Sequence, residues 1–198
     1  MKLAKIKEAI ESSLKTGTIN AFVHSVTLSM ENKLIIEKNW AEYQKHIELQ
    51  TKSFFQIIKL LVPIMKTKKH GKIVNILTAY TNGKPPTGIS DYIVGKYSLL
   101  GLAKSLAVEV GKDGITVNTA CPGSTRTNRI TSIYSETAKQ TGRSLEEIEE
   151  ASAQIIPMKR IGEPEELAAL IAFLASERAS YITGVAIQVD GGSARSYY

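Results

Sequence analysis

The 198 residues contain a single cysteine, Cys121, one tryptophan, and only 7% aromatic residues. One cysteine excludes an intramolecular disulfide, and with three scattered histidines it makes no metal-ligand cluster. No apolar run approaches the roughly 20 residues that a bilayer-spanning helix needs. Met1 is followed by Lys2, Lys5 and Lys7 in an amphipathic segment without an apolar stretch or a small-residue cleavage site, so no secretory signal is expected there. Arginine is absent from residues 1–70, where 12 Lys stand against 6 Glu, whereas residues 71–198 carry 13 basic and 13 acidic residues. The net charge of +6 therefore comes from dispersed lysines. They form no arginine cluster and do not interleave with aromatics, so the excess reads as a solvated face and not as a nucleic-acid surface. The expectation is a cytoplasmic, metal-free protein with no nucleic-acid or membrane partner.

What is present is ordinary globular composition, 43% hydrophobic and 22% charged, in a length suited to one domain over 1–198. Leu3, Ile6, Ile10 and Leu14 recur at helical spacing and stop at Gly17. A short apolar run, 19–23, suits a buried strand. A long helix is expected over 41–66, with Pro63 kinking or ending it early. Lys72–Leu77 is strand-like, and a turn-rich loop (82–88) leads to a helix over about 90–110, capped by Ser90 or Asp91. Further strands are expected at 115–120 and 186–189. A polar, glutamate-rich helical stretch (126–160) and a helix from Glu163 to Leu174 lie between them. Strands that alternate with helices over connections too long for hairpins predict an α/β fold with a parallel sheet.

Tyr92 and Lys96 stand four residues apart on one helical face. A cation beside a phenol favours phenolate, so such a tyrosine can exchange a proton with an alcohol or carbonyl. Taken alone, the spacing is a weak signal that chance produces often, and it reads first as a surface pair. The end of one strand at Thr78 and the segment Pro122-Gly123-Ser124-Thr125, with Thr127, bring hydroxyls and a tight turn to the carboxyl ends of the strands, where open parallel sheets bind ligands.

These motifs, with Gly71–Ile76, Gly114–Asn118, Pro164-Glu165-Glu166, Phe173–Ser176, Tyr181–Gly184 and Asp190-Gly191-Gly192, follow one another in an order that resembles the short-chain dehydrogenase/reductase family. The likeness is to the type that includes 3-oxoacyl-[acyl carrier protein] reductases and sugar dehydrogenases. The resemblance implies a Rossmann-like, doubly wound parallel sheet and an NAD- or NADP-dependent exchange between a ketone and a secondary alcohol. Tyr92 would be the general acid/base. Lys96 would depress its pKa and bind the nicotinamide ribose, and Thr78 would orient the substrate. Pro122, Gly123, Ser124, Thr125 and Thr127 would hold the carboxamide end of the cofactor, beneath a substrate lid at 126–160. Gln50 takes the place of an asparagine that supports the lysine, and His24-Ser25-Val26-Thr27 replaces an Asn-Asn-Ala-Gly that contacts the cofactor. His24 itself also reads as a hydrogen-bonded structural residue. His46 and His70 align as surface helix residues, and a homodimer or homotetramer through helices 41–66 and 92–110 is the family expectation. Phe54, Ile57, Ile58, Leu61, Tyr97, Leu100 and Lys104 either serve that contact or face the sheet.

No Gly-x-x-x-Gly-x-Gly or Gly-x-Gly-x-x-Gly occurs, so no glycine loop cradles a pyrophosphate. Counted against the family, the chain is N-terminally truncated and retains the strands corresponding to 4-5-6-7, with an exposed apolar edge at 19–23. A fragment, half of a split protein, and a self-associating short protein all fit that count. Without the second family strand, NAD cannot be told from NADP. A non-catalytic or partner-dependent binding protein derived from a reductase is the alternative to an enzyme.

Overall fold

A computed structural model describes residues 3–194; Met1 and Lys2, where the basic amphipathic reading begins, lie outside the described residues. Four strands, β1 (Ala21–His24), β2 (Gly71–Ile76), β3 (Ile115–Pro122) and β4 (Ala186–Val189), form one parallel sheet in the order β1-β2-β3-β4. The register runs His24 to Asn75 and Asn75 to Thr119, which aligns the carboxyl ends of the first three strands. The first strand begins two residues later than its apolar run suggests. Ile19 packs against the core ahead of the strand, and pairing starts at Ala21 opposite Lys72. β1 is the sheet edge, and Val23 is 41% exposed there, as the count of strands implied.

The helices are α1 (Leu3–Thr16), α2 (Trp40–Ile47), α3 (Ser53–Lys68), α4 (Ser90–Val110), α5 (Asn128–Thr141), α6 (Leu145–Gln154) and α7 (Pro164–Leu174). One face of the sheet, through Ile73, Ile115, Val117 and Cys121, packs on Phe54, Ile58 and Met65 of α3 and on Leu99, Ala103, Leu106 and Val110 of α4. Val74 on the opposite face meets Leu174 of α7. Both faces of β2 and β3 are thus buried, together with the polar side chains of Lys72, Asn75, Thr116, Asn118 and Thr119 that these strands carry.

The expected single helix over 41–66 is two helices joined by a π turn, Glu48–Lys52. Its break lies there and not at Pro63, which α3 carries in its interior before ending at Lys69, whose φ of 48° is left-handed. A π turn inserts one extra residue per turn and re-aims the side chains that follow. Here it holds Gln50 fully buried between two stretches of one stripe, His46 before it and Phe54, Ile58 and Leu61 after it. Against this stripe α4 presents Gly95, where an added Cβ would lie 3.0 Å from His46 Cβ and 3.2 Å from the Gln50 amide.

Neither Ser90 nor Asp91 caps α4. The cap position is Ile89, without a side-chain bond, and Ser90 instead meets the Tyr43 hydroxyl at 2.8 Å. Asp91 turns inward to a different task, described below. The polar stretch 126–160 folds as α5 and α6, capped by Thr127 and Ser144 and packed through Tyr134, Ile148 and Ile156. Among the described residues no helix is long and apolar enough to cross a membrane, and no group of three His, Cys, Asp or Glu side chains is placed to hold a metal.

Candidate active site at the carboxyl ends of the strands

β2 ends at Ile76, and Thr78 two residues later opens a short turn, accepting from the Tyr80 N–H at 3.5 Å. Tyr92 and Lys96 lie in the first two turns of α4, both buried, so that their spacing delivers phenol and ammonium to the end of β2. The Lys96 Nζ donates to the Ile76 carbonyl at 2.9 Å and to the Val26 carbonyl at 3.3 Å, and stands 5.6 Å from the centre of the Tyr92 ring. An ammonium has three donors, so one remains open. The Thr78 hydroxyl sits beside the phenol and pulls its pKa down, but burial outweighs this and holds Tyr92 above its ordinary value. The net direction is thus opposite to the one expected from a neighbouring cation alone: desolvation keeps the phenol protonated. The lysine bears the strain instead, its pKa brought down to about 8 by burial and by the Arg129 guanidinium.

Gln50 stands behind this pair and not in it. Its Nε2 donates to His46 Nδ1 at 3.2 Å, while its Oε1 is buried without a partner. His46 is 4% exposed, which corrects its assignment to the surface. Its Nε2 faces the Asp91 carboxylate at 3.5 Å, and its ring meets that of Tyr92 edge-on at 6.1 Å. Asp91 is further paired with the fully buried ammonium of Lys38 at 3.0 Å and accepts from the Tyr92 N–H at 2.9 Å. His70, by contrast, lies part-exposed opposite Glu177, at a surface position but between α3 and β2 and not in a helix.

His24 closes β1, buried, with Nε2 3.0 Å from the Ser53 hydroxyl and its ring tilted on Phe54. Burial and the Lys96 charge bring its pKa down to about 4, so it is neutral at physiological pH. Ser25 is exposed beside it. On the far side, Pro122 ends β3, and the Gly123 N–H donates to Val189 where an added Cβ would strike Asp190 at 2.8 Å. Ser124 and Thr125 bridge to Gly162. Thr127 accepts from the Ile130 N–H at 3.4 Å, which leaves its own hydroxyl proton free to donate. The structure therefore brings Tyr92, Lys96 and Thr78 together, with Gln50 one layer back. A groove of about 400 Å³ lies elsewhere, along the π turn between Leu28 and Lys52, and is lined by none of those three.

Four residues at the site were not assigned to it from the sequence. Asp91 reads as a cap because it opens a helix. His46 was legible in principle, since it lies four residues before Gln50 on the stripe that continues to Phe54. Lys38 and Arg129 carry no such signal: their partners are 53 and about 100 residues away.

A nicotinamide dinucleotide is the cofactor that the resemblance implies. The open third donor of Lys96, the protonated Tyr92 and the free Thr127 hydroxyl form a donor set that fits its ribose and carboxamide end. The described residues offer no glycine loop for the pyrophosphate.

Comparison with known proteins agrees with this geometry. The profile of the family described as enoyl-(acyl carrier protein) reductase matches residues 2–194. The oxidoreductase UcpA of Escherichia coli K12 is 36% identical over 190 residues, covering 96% of this chain and 70% of that protein. The 3-oxoacyl-[acyl-carrier-protein] reductase FabG of Buchnera aphidicola (subsp. Schizaphis graminum) is 35% identical over 192 residues, 96% and 71% of the two chains. The crystal structure of L-sorbose reductase from Gluconobacter frateurii, complexed with NADPH and L-sorbose, superposes with a TM-score of 0.89 at 30% identity, covering 98% of this chain and 74% of that one. A parallel sheet of this order, a buried tyrosine and lysine at the end of its second strand, and likeness along nearly the whole sequence lead to one conclusion: the chain belongs to the short-chain dehydrogenase/reductase family of oxidoreductases.

Proposed function

We propose that the protein interconverts a ketone and a secondary alcohol with NAD or NADP, using Tyr92 as the general acid/base. The observation that carries this reading is the convergence of Tyr92, Thr78 and Lys96 at the end of β2. A reduced nicotinamide bound here supplies the hydride that reaches the carbonyl carbon. Thr78 donates to the carbonyl oxygen and sets its distance from the phenol. Tyr92 gives its proton to that oxygen as negative charge develops on it. Its raised pKa suits this direction, because the phenol arrives protonated. Lys96 binds the ribose hydroxyls and places a positive charge below the phenolate that remains. Burial makes that charge more effective than it would be in water. Thr127 and the backbone of the Pro122–Thr125 turn orient the carboxamide, and α5 and α6 cover the substrate. The Gln50, His46 and Asp91 chain ends on the Lys38 ammonium and the Tyr92 N–H, so it holds the start of α4, which carries the phenol. A non-catalytic binding protein would have no need of a desolvated ammonium beneath a buried phenol, and that weighs for the enzyme.

α4 also leaves Val94, Tyr97 and Val108 exposed on one stripe, with Phe55 exposed on α3. Phe54, Ile58 and Leu100 face the sheet. The exposed stripe is the surface through which a second copy would dock.

The test is Tyr92→Phe. Turnover of a ketone with NADH or NADPH is expected to fall at least about a thousandfold with the unfolding midpoint little changed. Retained turnover would remove Tyr92 from the mechanism.

A further inference from the structure

Arg129 lies in the first turn of α5 and reaches across to the loop that follows β1. Its Nη1 donates to the Leu28 carbonyl at 2.8 Å and to the Thr27 hydroxyl at 3.3 Å. Lys96 reaches the same loop from the other side, at the Val26 carbonyl. Two cations thus bracket Thr27, and among the described residues neither has a carboxylate within ion-pair distance. The neighbouring arginines differ. Arg126 is held by Glu149 and Glu163, and Arg160 by both oxygens of Glu166. Asp91, next to the tyrosine in sequence, is committed to Lys38, and Asp190 to the N–H groups of Gly192 and Ala194. Arg129 is close enough for its charge to act on Tyr92, Lys96 and His46 alike. Two uncompensated positive groups that bond to the same Val26–Leu28 loop repel each other, and an anion between them relieves that repulsion. The remaining donors of the guanidinium, a planar fork suited to two oxygens, are unspent.

We propose that Arg129 is an anion-binding residue of this site, gripping a phosphate or carboxylate of the bound reactants between the lid helix α5 and the Val26–Leu28 loop. This rests on the oxidoreductase reading above. The oxyanion can belong to the nicotinamide nucleotide or to the carbonyl substrate, and two pairs of probes separate these sources. Binding of nicotinamide mononucleotide is compared with that of nicotinamide riboside, which lacks the phosphate. Binding of acetoacetate is compared with that of its uncharged methyl ester. Each is followed by calorimetry or ligand-observed NMR on the full chain, as wild type, Arg129→Gln and Arg129→Lys, with thermal unfolding as the check on folding. In at least one pair the wild type is expected to favour the anionic member by about tenfold or more. Arg129→Gln is expected to erase that preference without weakening the member that lacks the oxyanion, and Arg129→Lys to restore part of it. Preference for the mononucleotide assigns the phosphate, and preference for acetoacetate the carboxylate. If the riboside binds but neither anion is favoured, or if Arg129→Gln keeps the preference, the proposal fails and the oxidoreductase reading stands. If the wild type binds neither nicotinamide compound and does not favour acetoacetate over its ester, both fail together.

Discussion

At the scale of single residues, the site is built from groups that burial holds away from their ordinary charge states. His24 has a folded pKa of about 4 against about 6.5 when unfolded. The unfolded chain therefore takes up a proton first as pH falls. The stability associated with neutral His24 is complete above about pH 6.5 and is lost progressively down to about pH 4. The shift corresponds to about 3 kcal/mol. Chemical denaturation at pH 7 and pH 4.5 is expected to show this loss, and His24→Asn is expected to flatten it; an unchanged acid slope in the variant would show that His24 is not the titrating group. Lys96 has the opposite charge state to lose. Its folded pKa of about 8 lies below the unfolded value of about 10.4, so the buried ammonium opposes folding at neutral pH, and the opposition fades as pH rises between those values. Lys96→Met is therefore expected to raise stability by about 1–3 kcal/mol while removing ribose binding, the trade of stability for function expected of a strained site. A destabilised Lys96→Met protein would mean that the two carbonyls fully offset the cost of burying the charge. The Tyr92 and Lys96 spacing was legible in the sequence because both residues ride one helix face. The direction of the Tyr92 shift was not, because it depends on how much solvent the surrounding chain removes.

At the scale of elements, the joint between α2 and α3 decides where the polar layer behind the tyrosine sits. The alternation of strands and helices was readable from hydrophobic runs, and so was the end of α1 at Gly17. The π turn was not, because Gln50 and Thr51 favour no one helical hydrogen-bond pattern over another. Pro63 drew attention to the wrong place. It is exposed on α3, where the helix tolerates the missing hydrogen bond, while the departure from α geometry occurs eleven residues earlier. Gly95 is the sequence mark of this joint, since only a residue without a side chain lets α4 approach His46 and Gln50. In an open helix Gly→Ala stabilises by about 1 kcal/mol. Here the Cβ would press on His46 Cβ, an atom that cannot rotate away, and overpacking of this kind costs about 1–3 kcal/mol. Gly95→Ala is expected to lower the unfolding midpoint despite its better helix propensity. A rise in the midpoint would show that the joint gives way easily.

At the scale of the whole molecule, a parallel sheet covered by α3 and α4 on one face and by α7 on the other carries its chemistry at one end, the arrangement that open α/β sheets use for ligands. The order of motifs made the family readable from sequence, because each motif sits at a strand end or helix start that the fold requires. What sequence order does not reveal is contact across long separations. Lys38 with Asp91 and Arg129 with Leu28 are such contacts, made across 53 and 101 residues. The apolar stripe on α4 adds an expectation of its own: sedimentation should show self-association, and Tyr97→Glu should shift the protein toward monomer. Monomer behaviour of the unaltered protein at micromolar concentration would leave the stripe without that role. The most direct measurement of the proposed chemistry is isotope transfer in the protein isolated from its own cell. A nicotinamide dinucleotide deuterated at the transferring position of C4 is offered with a ketone, and the alcohol product is analysed by mass. Deuterium on the carbinol carbon with the native protein, and none above background with Tyr92→Phe, is the predicted result. No transfer by a native protein that binds the dinucleotide, or equal transfer by the variant, would contradict it.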